Sequence, residues 1–534
     1  MTSGRAAVFG RRAPLFLALP ALLAVGAVLL PLVYLTLRAG PPGSAAWELV
    51  EPGPTADLVA ATALLVCAVV AATVAVGVPL AWLVARTDLP GRRLWAVAAA
   101  LPLVIPSYVS ALALLGALGP RGLLQDVLEE PFGVERLPEI YGFPGALLAL
   151  TISTYPYVFL LTAAALRGLD PALEEAAQSL GSSRAGVFFR VTLPSLRPSI
   201  AAGALLVALY ALSDFGAVSL MQYDALTRSV YLRYQALFDR NSAAALALVL
   251  VALTAAVVLA EGWVRRARTV RTSPGSARRP APIALGRWRW AALAFCALVV
   301  GSFLALPVGV LAYWTARGLE LGKPVDLPWS EAGNSVFASG LAAGAAVVAV
   351  VPLAVLAQRF PALWTRALER LAYVSNALPG IVVALALVFF GARYGGVLYQ
   401  TLAILIFAYV VRFLPQALAA VSAGLGAVSP RVEEAGRTLG RGRARVLVSV
   451  TLPLAAPGVL TGAALVFLSA MKELPATLLL RPIGFDTLAV EIWTATSVDA
   501  YSEAAPAALL LIGVAAPFVY ALAARLPWEA AAPG

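Results

Sequence analysis

The sequence contains no histidine and only two cysteines, Cys67 and Cys296. The absence of histidine excludes imidazole acid–base catalysis and histidine metal ligation throughout the chain. Each cysteine lies alone inside an apolar run, so neither a disulfide framework nor a zinc site is indicated. No metal ligand is assigned with certainty. Without a cysteine pair or a clustered carboxylate motif in the apolar runs, a membrane-bound enzyme is disfavoured.

Charge is also scarce, because only 13% of the 534 residues are charged and 61% are hydrophobic. The mean hydropathy is +0.87. A soluble globule cannot bury so much apolar surface, and a disordered chain would be poor in apolar residues. A transmembrane barrel would show alternating segments of about ten residues rather than long apolar runs. The composition therefore predicts an all-α protein that crosses a membrane many times.

The apolar runs predict twelve transmembrane helices, since a bilayer core requires about 20 residues per helix. The first run ends at Arg38 and is too long for a cleaved signal peptide, so we interpret it as an uncleaved span. Lys472 and Glu473 interrupt the eleventh run. The runs lie near 14–37, 57–85, 94–118, 145–166, 199–220, 242–263, 290–315, 334–357, 372–391, 398–422, 457–480 and 503–525.

The distribution of charge predicts the orientation. If the amino terminus is cytoplasmic, the loops and helix ends on that side carry 27 of the 39 basic residues and 9 of the 28 acidic ones. The opposite side carries 11 basic and 19 acidic residues, and Arg412 lies alone in the tenth span. Because basic loops stay in the cytoplasm, the amino terminus is predicted to be cytoplasmic and the outer mouth acidic.

A basic segment, 265–289, separates the two groups of six spans. It contains Pro, Gly and Ser without apolar periodicity, so it is interpreted as a cytoplasmic linker. Contact with anionic lipid is favoured over nucleic-acid binding for its arginines. The predicted domains are a first half, 1–264, this linker, and a second half, 290–534.

The two halves match at a constant offset of 259 residues across a loop and its flanking spans. Both copies of the loop lie on the same side, which predicts parallel, pseudo-symmetric halves around a central path. The pairs include Pro156/Pro415, Pro171/Pro430, Glu174/Glu433, Glu175/Glu434, Ala176/Ala435, Gly181/Gly440, Arg184/Arg443, Pro194/Pro453 and Gly203/Gly462.

The repeated loop predicts a short helix with defined ends. Asp170 and Ser429 each precede a proline and occupy the N-cap position, whereas Gly181 and Gly440 follow as left-handed C-terminal residues. A basic stretch and a Leu-Pro pair then lead into the next span. An amphipathic helix that only covers the core would explain the caps. A loop that matches better than the spans it connects is more typical of a docking site.

Two strings in these loops resemble the EAA signature of permease subunits of bacterial binding-protein-dependent ABC importers. They are EAAQSLGSSRAGVFFRVTLP, which begins at Glu175, and EAGRTLGRGRARVLVSVTLP, which begins at Glu434. Gly436 replaces the usual alanine, a change that would loosen the helix there. The resemblance implies a type I importer fold with about twelve helices in two parallel six-helix halves.

The resemblance also implies that each loop docks in a groove of an ATPase subunit and couples ATP hydrolysis to transport. The residues assigned to ATPase coupling are Glu174, Glu175, Ala176, Ala177, Gly181, Glu433, Glu434, Ala435, Gly436 and Gly440. The chain has no phosphate-binding GxxxxGK[ST] motif, so ATP and Mg²⁺ are expected on a separate ATPase dimer and no cofactor on this chain. This subunit is not expected to be an enzyme.

A further pair at the same offset lies near the outer ends of the fifth and eleventh spans. Asp214, next to Ser213, corresponds to Glu473, next to Lys472. Intramembrane charges are costly and often mark a translocation path, but snorkelling ends or local ion pairs explain them equally well. Asp224 and Asp486 occupy matching positions in the outer loops and are candidates for docking a binding protein.

The strings around Asp214 and Glu473 resemble those of double-length ferric iron permeases. The resemblance implies an iron(III) importer of the bacterial inner membrane that receives substrate from a periplasmic or lipid-anchored binding protein. An acidic outer mouth suits a hard trivalent cation. Thiamine, polyamine and phosphonate permeases of the same wider group remain alternatives. An ion-coupled secondary transporter is the alternative from another class, and the repeated loops disfavour a channel.

Overall fold

A computed structural model describes residues 13–41, 43, 44, 47, 52–120, 122–133, 138–235, 240–266, 282–322 and 327–524. Its α-helices are α1 Leu15–Ala39, α2 Pro52–Arg86, α3 Arg92–Ala100, α4 Ser107–Leu118, α5 Leu123–Phe132, α6 Phe143–Arg167, α7 Pro171–Ser179, α8 Arg184–Val187, α9 Leu193–Ser213, α10 Gly216–Leu220, α11 Leu226–Gln235, α12 Arg240–Arg266, α13 Arg289–Val300, α14 Leu306–Glu320, α15 Trp329–Arg359, α16 Leu363–Ala372, α17 Gly380–Tyr394, α18 Leu402–Ala427, α19 Pro430–Thr438, α20 Arg443–Val446, α21 Leu452–Met471, α22 Pro475–Leu480, α23 Leu488–Ser497 and α24 Tyr501–Ala524.

Shorter helical turns join several of these helices. The 3₁₀ turns are Leu101–Val104, Gly286–Trp288, Tyr373–Ala377 and Gly396–Leu398. The π-helical turns are Phe188–Thr192, Gly301–Ala305 and Leu447–Thr451, and each connects two α-helices into one longer helix.

The all-α membrane architecture is confirmed. Among the described residues, eleven helices are long and apolar enough to cross a membrane, and one bent pair makes twelve if it counts as one span. That pair, Leu363–Ala377 and Gly380–Tyr394, is bent by 101°. The bend lies at Pro379, which precedes α17 in extended backbone conformation. Proline cannot donate a helical hydrogen bond and clashes with the preceding turn, so a continuous helix is disfavoured there.

Three further predicted runs are discontinuous. The run predicted at 94–118 is divided into α3 and α4, with Pro106 immediately before α4. The run predicted at 199–220 ends as a long helix at Ser213, and that at 457–480 ends at Met471. The short helices α10 and α22 follow these two breaks. Hydropathy alone therefore placed the ends of the fifth and eleventh helices too late in the chain, because the residues beyond each break are still apolar.

The chain forms two compact units. The first unit contains residues 52–229, 252–327 and 492–534. Within it α2 packs on α6 and α9, and α14 packs on α24 and α4. A Cβ at Gly203 would lie 2.8 Å from the Val158 Cα, and one at Gly77 would lie 3.1 Å from the Phe159 backbone nitrogen. Small residues thus allow α9 and α2 to approach α6 closely.

The second unit contains residues 1–51, 230–251 and 328–491. Within it α18 packs on α15 and α21, while α1 packs on α15, α16 and α17. Gly424 and Gly458 allow α18 and α21 to approach closely, since a Cβ at Gly424 would lie 2.8 Å from the Gly458 Cα. The trio α15, α18 and α21 repeats the packing of α2, α6 and α9. The predicted halves, 1–264 and 290–534, describe the sequence repeat and remain a prediction.

The carboxyl end of the predicted basic linker is held within the first unit by contacts with Thr87 and Asp88. Thr87 and Ile283 form an isolated parallel bridge, and the Leu285 backbone N–H donates to the Asp88 carboxylate at 2.8 Å. Arg289 lies 3.6 Å from the same carboxylate. Residues 267–281 lie outside the described residues. The carboxyl end of the linker is thus attached to the segment that follows α2.

Candidate functional site

The two EAA loops form short helices as predicted. Asp170 and Ser429 occupy the N-cap positions of α7 and α19, and a proline follows each at the first helical position. The Asp170 carboxylate accepts a hydrogen bond from the Ala172 backbone N–H at 3.0 Å. The Ser429 side chain makes no capping hydrogen bond. Only the first loop helix therefore has the predicted side-chain cap.

The glycines that end both loop helices are left-handed, as predicted. Gly181 has φ +84° and Gly440 has φ +79°. The Gly181 N–H donates to the Gln178 carbonyl at 2.9 Å, and the Gly440 N–H donates to the Arg437 carbonyl at 3.0 Å. A side chain at either position would strain the backbone. The chain therefore reverses sharply at the same place in both loops.

Each loop helix is followed by a long helix with a π-helical turn at its Leu-Pro pair. The Leu193 N–H bonds to the Phe188 carbonyl, and the Leu452 N–H bonds to the Leu447 carbonyl. Pro194 and Pro453 follow and cannot donate, so the wider turn accommodates the proline rings. The last residues of these turns are Thr192 and Thr451.

Glu174, in the first loop helix, is buried and belongs to a polar cluster. It forms an ion pair with Arg86, the last residue of α2. The Thr192 hydroxyl donates to the Glu174 Oε1 at 2.6 Å. Arg86 and Glu174 are 4% and 8% exposed. The carboxylate therefore links the loop helix to the end of α2 and to the π-helical turn.

Glu433 repeats this arrangement in the second loop helix. The Arg359 Nε lies 3.0 Å from both carboxylate oxygens, and its Nη2 lies 2.9 Å from Oε1. The Thr451 hydroxyl donates to the same Oε1 at 3.1 Å. Arg359, the last residue of α15, also donates to the Leu425 and Val428 carbonyls at 3.0 and 3.2 Å. Glu433 is fully buried.

The neighbouring glutamates have the opposite environment. Glu175 and Glu434 are exposed, as are Ala176 and Ala435. Ala177 is half-buried, whereas Gly436 is buried with its Cβ position 3.3 Å from the Val446 side chain. A partner could therefore contact Glu175 and Glu434 and the alanine that follows each of them. Glu174 and Glu433 are buried, so a partner could not contact their carboxylates.

Sequence reasoning missed four members of these clusters. Thr192 and Thr451 lie within the quoted repeat, and Arg86 and Arg359 each terminate a long apolar run before the loop. The arginines correspond at an offset of 273 rather than 259, because the first half has additional residues between α4 and α6. A search for matching charges at the ends of preceding spans would have found them.

Asp214 lies at the break between α9 and α10. Its carboxylate accepts hydrogen bonds from the Ser107 hydroxyl and from the Ala217 backbone N–H, the latter at 2.9 Å. The Thr227 hydroxyl donates to the Asp214 carbonyl at 2.7 Å. Asp214 is buried, and the adjacent Ser213 is half-buried. The carboxylate thus orients the short helix α10 and holds the start of α4.

Glu473 lies at the corresponding break between α21 and α22. Its Oε2 is 2.9 Å from the Arg412 Nε, and its Oε1 is 3.4 Å from the Ala476 backbone nitrogen. A Cβ at Gly380 would lie only 2.6 Å from the Glu473 Oε1. Glycine at this position therefore makes room for the ion pair. Lys472, beside it, is half-buried.

The two breaks share a fold but differ in chemistry. At an offset of 273, Ser107 corresponds to Gly380, and at 259, Ser153 corresponds to Arg412. The Ser153 hydroxyl lies 2.9 Å from that of Ser110. At the first break the carboxylate is thus bound by a hydroxyl and a backbone N–H, and at the second it forms an ion pair. Each predicted path carboxylate already has hydrogen-bonding partners in the structure.

The aspartates of the two predicted outer loops lie beside arginines. Asp224 forms an ion pair with Arg228, and Asp486 forms one with Arg481. A hydroxyl on the second or eighth span holds each loop. Thr62 accepts from the Leu226 N–H at 3.0 Å, and Ser335 accepts from the Leu488 N–H at 2.9 Å. Among the described residues, no group of three or more His, Cys, Asp or Glu could hold a metal ion.

The sequence profile of one family matches both parts of the chain that contain these sites. The family is described as binding-protein-dependent transport system inner membrane component, and the matches cover residues 77–270 and 350–526. The chain belongs to this family. Each match contains one EAA loop with its Arg–Glu–Thr cluster and one of the two helix breaks, so the permease carries two copies of the family's unit.

Individual relatives of the permease support the same assignment. The Fe(3+)-transport system permease protein FbpB 2 of Haemophilus influenzae is 34% identical over 508 residues, which cover 94% of this chain and 96% of the relative. The ferric transport system permease protein FbpB of Actinobacillus pleuropneumoniae is 25% identical over 71% of this chain and 58% of the relative. The molybdenum transport system permease protein ModB of Escherichia coli is 32% identical, but over only 36% of this chain.

Proposed function

We propose that this permease imports ferric iron across a bacterial inner membrane as the transmembrane subunit of an ABC importer. The observation that carries the proposal is the 34% identity to a ferric permease along 94% of the chain. The similarity to molybdenum permeases covers 36% of the chain and therefore concerns one half. The excess of acidic over basic residues on the predicted outer side favours a cation over an oxyanion.

The proposal includes two partners. The exposed faces of α7 and α19 dock an ATPase dimer, which binds ATP and Mg²⁺ because this chain has no phosphate-binding loop. A soluble or lipid-anchored binding protein delivers iron to the opposite side, where Asp224 and Asp486 lie in matching loops. The amino terminus and both EAA loops are cytoplasmic, as the positive-inside rule requires.

The substrate is tested by uptake in a strain that lacks this gene. Cells complemented with the wild-type chain should regain uptake of radiolabelled iron(III), supplied on the cognate binding protein, and cells with an empty vector should not. Thiamine and molybdate uptake are measured in the same cultures. Restoration of thiamine or molybdate uptake without iron uptake would contradict the proposal and identify the substrate instead.

A further inference from the structure

We propose that Glu174 and Glu433 are positioning residues that transmit movement of the EAA loops to the spans, rather than residues that contact the ATPase. This inference rests on the proposed function as an ATP-driven importer, but not on the identity of the substrate. It separates two adjacent glutamates in each loop. The exposed Glu175 and Glu434 belong to the docking surface, and the buried Glu174 and Glu433 belong to the transmission cluster.

Burial is the first argument. Glu433 is 0% exposed and Glu174 is 8% exposed, so a partner on the loop surface cannot reach their carboxylates. A buried carboxylate is tolerated only when it is paired and hydrogen-bonded. In both loops an arginine and a threonine supply these partners. The same three residue types recur in two separate units, so the arrangement is a repeated feature of the fold.

Connectivity is the second argument. The loop helix α19 packs along α20 and the π-helical turn that leads into α21. Arg359 comes from a different span, α15, and also holds the carbonyls of Leu425 and Val428 near the end of α18. Glu433 therefore joins the loop helix to the ends of two further spans. Arg359 hydrogen-bonds to both carboxylate oxygens of Glu433, so the ion pair has a fixed geometry in addition to its charge attraction.

The cluster of Arg86, Glu174 and Thr192 and the cluster of Arg359, Glu433 and Thr451 differ in the additional contacts around their arginines. In the first unit, the segment that follows Arg86 pairs with Ile283, and Asp88 accepts from the Leu285 N–H. In the second unit, Arg359 instead donates two hydrogen bonds to backbone carbonyls of the α18 end. We therefore expect the second cluster to depend more strongly on its ion pair, and we place the decisive substitutions there.

The test uses the full complex of permease, ATPase and binding protein in proteoliposomes. A reporter cysteine replaces Ser469, near the end of α21 that lies away from the loop, after Cys67 and Cys296 are changed to alanine. The readout is the ATP-dependent change in maleimide labelling of this cysteine. ATPase binding and ATP hydrolysis are measured in the same samples. No iron is required for this readout.

Glu433→Gln should leave ATPase binding intact and reduce the ATP-dependent change in labelling about tenfold, a size typical of coupling between sites. The matched control is Glu434→Gln, which makes the same chemical change one residue away on the exposed face. It should weaken ATPase binding, while any bound ATPase still drives the full change. Thr451→Val should cause a smaller loss than Glu433→Gln, and Thr451→Ser should restore wild-type behaviour.

Full labelling change in Glu433→Gln, or weakened ATPase binding like that of Glu434→Gln, would overturn the inference. If Glu433→Gln does not fold, Arg359→Met with Glu433→Leu removes both buried charges together. A folded double variant with the full change would show that the ion pair is not needed, and the Thr451 variants decide the question if that protein also fails to fold. Iron import is assayed separately, so a wild-type complex that moves but imports no iron counts only against the substrate.

Discussion

At the residue scale, neighbouring glutamates in one helix have opposite environments. Successive residues in an α-helix are rotated by about 100°, so one of two adjacent side chains can face the protein while the other faces solvent. Glu174 and Glu433 face inward, and Glu175 and Glu434 face outward. The repeat predicted that all four matter. It could not distinguish them, because the arginines that bind the inward pair lie far away in sequence.

The Glu473–Arg412 ion pair leads to a prediction on stability. Breaking a buried ion pair costs about 3–5 kcal/mol, and the cost here should be lower because the Arg412 side chain retains 18% exposure. Glu473→Gln should therefore destabilise the permease by about 2 kcal/mol. Asp214→Asn should cost less, since an amide oxygen can still accept the Ala217 hydrogen bond. Thermal unfolding in detergent measures both effects.

The matched control replaces both members of the pair. Arg412→Ser combined with Glu473→Gln removes the unpaired cation and introduces the serine that the first half carries at this position, Ser153. This double variant should recover part of the lost stability. Iron uptake is followed in parallel. A large loss of uptake without a loss of stability would show that the carboxylates contribute to the path as well as to the fold.

At the element scale, helix positions were predictable and helix breaks were not. Apolar runs identified every span, because a bilayer requires about 20 such residues. The breaks after Ser213 and Met471 were hidden, because the residues of α10 and α22 are as apolar as those before them. The local signals were the polar groups Ser213-Asp214 and Lys472-Glu473, and the proline Pro475. In a sequence, such groups are equally compatible with a helix end that reaches the interface.

The end of the second loop helix provides a prediction at this scale. Gly440 has a left-handed backbone, which costs other residues roughly 1–2 kcal/mol. Gly440→Ala should therefore destabilise the loop helix by about this amount and reduce ATPase stimulation. The matched control is Gly442→Ala, two residues on. Gly442 has φ −66°, and a Cβ there meets nothing within 4 Å.

ATPase stimulation by the reconstituted permease and hydrogen exchange of residues 430–440 measure the effect of Gly440→Ala. Faster exchange should be confined to that variant, and Gly442→Ala should match the wild type. Equal behaviour of the two alanine variants would mean that the left-handed turn is not what orders the loop.

At the scale of the whole molecule, the sequence was sufficient for the class of protein, the span count and the repeat. It was insufficient for the packing partners of each span. The first helix, α1, packs on α15, α16 and α17 of the second unit. Lipid tails are as apolar as leucine side chains, so hydropathy does not determine which helices associate. Small residues at close helix contacts determine this association, and the sequence repeat revealed only some of them, such as Gly203 and Gly462.

The orientation is the last prediction, and it rests on charge alone. With Cys67 and Cys296 changed to alanine, single cysteines are introduced at Val397 and at Leu439, which are 92% and 82% exposed. An impermeant maleimide added to intact spheroplasts should label the cysteine at 397 and leave that at 439 unlabelled. Permeabilisation should then allow both to react, which controls for accessibility.

The physical reason is the excess of arginine on the side that carries Leu439 and both EAA loops, which resists translocation across the membrane. The reverse labelling pattern would place these loops outside the cell, where no ATP-hydrolysing partner could use them. The labelling pattern therefore tests the predicted orientation and the proposed coupling together, because the basic face that is predicted to set the topology surrounds the helices proposed to meet the ATPase.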